Sequence, residues 1–125
     1  MGTSTLELAV LDLLESWSEL FNAHEFDRLA LLYAQHATLH GTSSPLLYQG
    51  REHIRSYFKG PASVEFLSSE ITCVADATAI AVGYYIFRVP EGEQVKEVGA
   101  RFTFVVELGG GRPQIAHHHS SLAPL

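Results

Sequence analysis

The sequence predicts an α+β fold, with helices on one face of a bent, mainly antiparallel sheet. Three observations carry that expectation. Helical periodicity is confined to the first half of the chain, while Val64 onward reads as long strands broken by short turns. The stretch Ala79 to Phe87 is apolar at both odd and even positions, so its sheet needs cover on both faces. With 125 residues, 46% hydrophobic and 18% charged, the chain has enough apolar matter for one core and too little charge for disorder. A single domain over residues 1–125 is expected.

The elements follow in order. Ser4 and Glu7 have capping-box spacing, and Leu6, Val10, Leu13, Trp17, Leu20 and Phe21 form a helical stripe to about His24. A shorter helix is expected from Phe26 to Ala34, with Asp27 in its first turn and Leu29, Leu32 and Tyr33 turned inward. His36 to Gly41 reads as a short strand, Thr42 to Pro45 as a turn, and Leu46 to Gln49 as another short strand. Gly50 to Lys59 forms a third helix, stopped by Gly60 and Pro61. Strands are then expected over Val64 to Val74, Thr78 to Val89, Val95 to Leu108 and Gln114 to Ser121. Gly109, Gly110 and Gly111 make the tip of the last hairpin.

Composition excludes several functions. A net charge of −6 disfavours nucleic acid and anionic membrane as partners. No apolar run suggests a signal peptide or a membrane span, so a cytoplasmic location is expected. The single cysteine, Cys73, rules out an internal disulfide and reads as a buried, inert thiol in a strand. No glycine-rich loop leads from a strand into a helix, so no dinucleotide or phosphate cofactor is expected.

The concentrated chemistry lies in the last quarter. Alternation separates Arg101 and Thr103 from Phe102, Phe104 and Val106. A buried guanidinium must meet either an internal carboxylate or an anionic ligand group, and both readings stand. Among His117, His118 and His119, the middle ring points opposite to its neighbours. Three roles are open: structural imidazoles bonded to backbone or to Ser120 and Ser121, a pocket acid/base, or His117 and His119 as metal ligands with His40 as a third. Nothing in the sequence brings His40 to that pair, and no metal is expected. Trp17, Tyr33, Tyr57 and Tyr84 are accounted for as core by periodicity alone. In a pocket they would supply apolar wall and hydroxyl donors.

The pattern Trp17, Phe21, Asn22, Asp27, Leu32 and Tyr33, followed by Gly50, Arg51, Ile54, Tyr57 and Phe58, resembles the nuclear transport factor 2-like superfamily. The tail from Ala100 to Val105, with His117 to Pro124, looks more particularly like the SgcJ/EcaC group. That group is similar to SnoaL-like polyketide cyclases and to the association domain of calcium/calmodulin-dependent protein kinase II. The resemblance implies a cystatin-like cone, with three N-terminal helices in the concave face of a strongly bent sheet and a deep pocket at one end. It implies dimers through the outer sheet face, and pocket positions at Arg101 and Ser120. In the kinase domain the residue matching Ser120 is an arginine, and Pro113 stands where a tryptophan is usual. Ketosteroid isomerases share the fold but use an aspartate base. Asp12, Asp27 and Asp76, at a helix surface, a helix start and a turn, do not fit that design.

The reading is a small-molecule pocket protein that takes an apolar cyclic or polyketide-like compound. Arg101 would hold its anionic or carbonyl oxygen, with His118 or His40 moving a proton. Trp17, Tyr33, Tyr57, Tyr84, Thr103 and Ser120 would complete the binding site. The rival is a non-catalytic association module. Both expect a homodimer, with Phe102 and Phe104 buried on the outer sheet face.

Overall fold

A computed structural model describes residues 4–124. Three helices, α1 (Thr5–Asn22), α2 (Phe26–Ala30) and α3 (Arg51–Tyr57), interleave with two strands, β1 (Tyr33–His40) and β2 (Leu47–Gln49). Four long strands follow, β3 (Ser63–Ala75), β4 (Thr78–Glu91), β5 (Gln94–Gly109) and β6 (Arg112–Leu122). The sheet order is β2-β1-β6-β5-β4-β3, antiparallel throughout except for the parallel pair β1 and β6. The sheet is curved and unclosed, as expected of this α+β class. No described helix is long and apolar enough to cross a membrane. Met1 to Thr3, where part of the leader expectation falls, lie outside the described residues.

Helix α1 starts where the capping box places it, with the Ser4 hydroxyl accepting the Glu7 amide at 3.0 Å. Its stripe from Leu6 to Phe21 is buried against the sheet. The facing side is supplied by alternate strand residues: Ala79, Ala81 and Tyr85 of β4, Phe102, Phe104 and Val106 of β5, and Ile115 of β6. Each large apolar side chain buried there contributes roughly 1.5–3 kcal/mol.

Three expectations are corrected. The second helix ends at Ala30, and Tyr33 and Ala34 belong to β1. The cause is tertiary: the Ile115 amide donates to the Leu32 carbonyl at 2.8 Å, and Tyr33 pairs with Ile115, so β6 draws this stretch into the sheet. Phe102 and Phe104 face the helices, at 3% and 0% exposure, and are not on the outer face. Aromatic rings serve the core, and the same alternation turns Arg101 and Thr103 to the convex side. Cys73 is exposed too, because β3 is an edge strand whose second half runs largely uncovered. The β5–β6 hairpin is a two-residue turn through Gly110 (φ 59°) and Gly111 (φ 81°), a backbone that glycine accepts without strain.

Candidate functional site

The concave side of the sheet keeps a cavity of about 200 Å³ between α1, the end of α3 and the strands. Trp17, Phe21, Phe58 and Phe87 make its apolar walls. Trp17 is the centre of that aromatic lining, stacked on Phe21 at 5.1 Å and edge-on to Phe58 at 6.1 Å. Tyr57 closes over Gly41, whose missing Cβ would lie 2.2 Å from the tyrosine ring, so only glycine permits that approach. Lys59 stands at the exposed rim. Among the described residues no carboxylate lines the cavity.

The polar side of the cavity is one hydrogen-bond chain. Trp17 Nε1–H donates to the Tyr33 hydroxyl at 3.0 Å, and that hydroxyl lies 2.8 Å from His118 Nδ1. His118 Nε2 is 3.1 Å from the Tyr85 hydroxyl, which donates to Ser120 Oγ at 2.6 Å. Ser120 Oγ in turn bonds Thr42 Oγ1. The direction of the chain is dictated at Trp17 and at Tyr85. Indole can only donate, so the Tyr33 proton is free to go to His118 Nδ1. Tyr85 spends its own proton on Ser120, so it accepts from His118 Nε2–H. The imidazole is therefore neutral and protonated on Nε2. At the far end, the hydroxyl pair of Thr42 and Ser120 is left with a proton to offer into the cavity.

Electrostatics agree with a neutral chain. Burial pushes the Tyr33 and Tyr85 phenols well up, with hydrogen bonds from Trp17 and to Ser120 opposing weakly. Burial likewise drives His118 well below its ordinary range, helped by His117 and His119. His118 is 2% exposed with both nitrogens partnered, so it has no lone pair to present to a ligand. It acts on the cavity only through Tyr85.

Of the residues expected here from sequence, Trp17, Tyr57, His118 and Ser120 come together around the cavity, and Tyr33 stands directly behind it. Arg101, Thr103 and Tyr84 do not join them. They line a separate open groove of about 430 Å³ on the convex face, with Ser68, Glu70 and His119. Arg101 is exposed and its Nε reaches Ser121 Oγ at 3.4 Å. An exposed guanidinium needs neither the internal carboxylate nor the anion that burial would have demanded, and none of the ion pairs among the described residues involves it. His40 also lies on the convex face, away from His118. The sequence reading missed Tyr85, Thr42 and Lys59. Tyr85 sits beside Tyr84 in a strand apolar on both faces, so alternation could not choose between them; Thr42 was read as a turn residue, where periodicity says nothing, and Lys59 as the end of the third helix, which stops at Tyr57.

The convex face holds a second arrangement. His40 pairs with His119 across β1 and β6, and Thr38 with His117, so three imidazoles rise from adjacent strands. One ring nitrogen from each of His40, His117 and His119 lies within 4.8 Å of the others. The sequence offered no reason to bring His40 to that pair; the parallel β1–β6 register does so.

Residues 10–125 match the SnoaL-like domain family. The chain belongs to that family. Similar solved structures surround this SnoaL-like domain with nuclear transport factor 2-like and cystatin-like proteins. One is a putative calcium/calmodulin-dependent protein kinase II association domain from Xanthomonas campestris, 28% identical, with 92% of this chain and 86% of that one covered and a TM-score of 0.85. A nuclear transport factor 2-like protein from Pseudomonas putida is 22% identical, over 99% of this chain and 91% of that one, at a TM-score of 0.81. The association domain of C. elegans CaMKII is 16% identical, over 90% and 92%, at 0.76. These last two likenesses speak for the SnoaL-like domain's fold alone. No curated protein matches the sequence.

Proposed function

We propose that this SnoaL-like domain binds a small flat molecule through the concave cavity, with the apolar body against Trp17, Phe21 and Phe58 and a carbonyl or hydroxyl oxygen at Thr42 and Ser120. The carrying observation is the buried hydrogen-bond chain, satisfied along its length and ending in the cavity with one hydroxyl proton to donate. A volume of about 200 Å³ is below the roughly 300–1,000 Å³ of drug-sized sites, which favours one or two rings over a polycyclic compound. Arg101 has no part in this reading. Lys59 at the rim is the cation placed to attract an acidic substituent. His118 orients Tyr85 and is a positioning residue; any proton movement would run along the chain of hydroxyls.

Trp17 is the only tryptophan and lines the cavity, so its emission reports occupancy. Titrating one- and two-ring aromatic ketones and phenols should give saturable quenching. Loss of one hydrogen bond in Thr42→Val or Ser120→Ala should weaken affinity by about 2–10-fold, at roughly 0.5–1.5 kcal/mol per bond. Arg101→Met, altered on the opposite face, should leave it unchanged. No saturable response across the series, or unaltered affinity in both hydroxyl variants, would overturn the reading.

A second reading, association of copies of this chain, is supported by the convex face. Ile80, Val82, Tyr84 and Val105 form an apolar strip across β4 and β5, with Val82 and Tyr84 40% and 52% exposed. The Xanthomonas neighbour's description as an association domain points the same way. Cavity binding and association use opposite faces, so one does not preclude the other.

A further inference from the structure

The three convex-face histidines have no role in the cavity. His40 closes β1, and His117 and His119 alternate on β6 so that both rings leave the same side of the sheet. The His40 ring centroid is 6.0 Å from that of His117 and 5.4 Å from that of His119, with planes at 84° and 68°. Three imidazoles are thus held edge to face, and none of the ion pairs among the described residues draws a carboxylate to them. His117 Nδ1 is 2.7 Å from Thr38 Oγ1, which occupies that nitrogen and leaves Nε2 to the cluster.

We propose that His40, His117 and His119 bind one divalent transition-metal ion of the zinc class, with the fourth position open on the convex face. Neutral imidazoles suit zinc, copper(II) or nickel(II), whereas magnesium and calcium require oxygen ligands. A tetrahedral ion with zinc–nitrogen bonds of ~2.0–2.1 Å sets its ligand atoms about 3.3–3.4 Å apart. The nitrogens already converge within 4.8 Å, and His40 and His119 are exposed, so side-chain torsions close the difference without moving the strands. Two of the ligands alternate on one strand and the third pairs across the β1–β6 ladder, so backbone hydrogen bonds hold the spacing. Thr38 acts behind the site, fixing the His117 ring. Three protein ligands with an open fourth position is the arrangement of zinc sites that hold a water or an exchangeable ligand. The overall charge of −6 favours a cation.

The test uses untagged, chelator-stripped full-length protein, since an affinity tag of histidines would bind the same ions. Wild type should take up one Zn²⁺ per chain by calorimetry, and one Co²⁺ with the visible absorption of a tetrahedral site. The double variant His40→Ala/His119→Ala removes exposed side chains, and its unchanged apo melting temperature would confirm that it folds. It should lose more than ~100-fold in Zn²⁺ affinity, because outer-shell partners alone cost ~10–100-fold. Thr38→Val should lose about 10-fold while keeping the stoichiometry. Binding retained by the double variant would place the metal at other histidines and overturn the proposal, as would no stoichiometric uptake by wild type at micromolar Zn²⁺. Trp17 quenching by the aromatic series is unaffected by either result, because the cavity lies on the other face of the sheet.

Discussion

His118 commits both ring nitrogens to tyrosine hydroxyls inside the core, and this makes the protein's stability depend on pH. Its pKa is lowered well below the ordinary value in the fold, first by burial and then by His117 and His119. That of His117 is lowered also, mainly by partial burial. Once unfolded, both rings protonate near the usual value of about 6.5. Below that pH the unfolded state binds protons that the folded state refuses, so stability is full above about 6.5 and declines as pH falls toward the folded-state values. The melting temperature of wild type should therefore drop between pH ~7.5 and ~5, and His118→Gln should flatten part of that slope. Parallel slopes for the two proteins would show that His118 is not the group responsible. A neighbouring pair shows how fine the residue scale is. Tyr84 and Tyr85 are adjacent, yet one is 52% exposed on the convex face and the other fully buried within the hydrogen-bond chain, between His118 and Ser120. A one-residue change of parity exchanges the two faces of a strand.

At the scale of elements, the β3–β4 pair carries one of the sheet's register shifts, between Phe66 and Ser68, next to Gly83 on β4. A Cβ on Gly83 would lie 2.0 Å from the Ser68 carbonyl oxygen and 2.9 Å from the Phe102 ring, so backbone itself occupies the space. Gly83→Ala must push β3 away or displace Phe102, a core overpacking that costs about 1–3 kcal/mol. Denaturant unfolding of that variant beside wild type measures it directly. A loss under about 0.5 kcal/mol, the range of ordinary surface changes, would mean that the bulge adjusts freely. The exchange at α2 has the same origin in pairing. Five residues make too short a helix to hold against β6, which claims Tyr33 for the ladder and so places its hydroxyl beside His118.

For the whole molecule, the association reading rests on the convex face. The apolar strip of Ile80, Val82, Tyr84 and Val105 replaces Phe102 and Phe104 as the expected contact, since the phenylalanines are core. A homodimer through that strip should bury about 1,200–2,000 Å² in total. Light scattering at micromolar concentration should find a dimer for wild type and a monomer for Val82→Asp/Tyr84→Asp, because two buried carboxylates without partners are too costly at an interface. A wild-type monomer, or a dimer that survives both aspartates, would remove the convex strip from the account.

Local chemistry was enough to determine the class of fold, the capping box of α1, its buried stripe from Leu6 to Phe21, the four long strands and the glycine hairpin. Each follows from periods and turn preferences that act within a few residues. Trp17, Tyr57, His118 and Ser120 were candidates by their chemistry and, for Ser120, by the family resemblance, but alternation sets His118 apart from His117 and His119 without saying which side is inner. Only the tertiary structure decided which face of β4 and β5 meets the helices, because a strand apolar on both sides gives alternation nothing to distinguish. That single choice moved Arg101, Thr103 and Tyr84 out to the convex surface and brought Tyr85 in. Tertiary pairing also decided the partners of the histidines. His40 and His119 are far apart in the chain, and the parallel ladder between β1 and β6 alone sets them side by side.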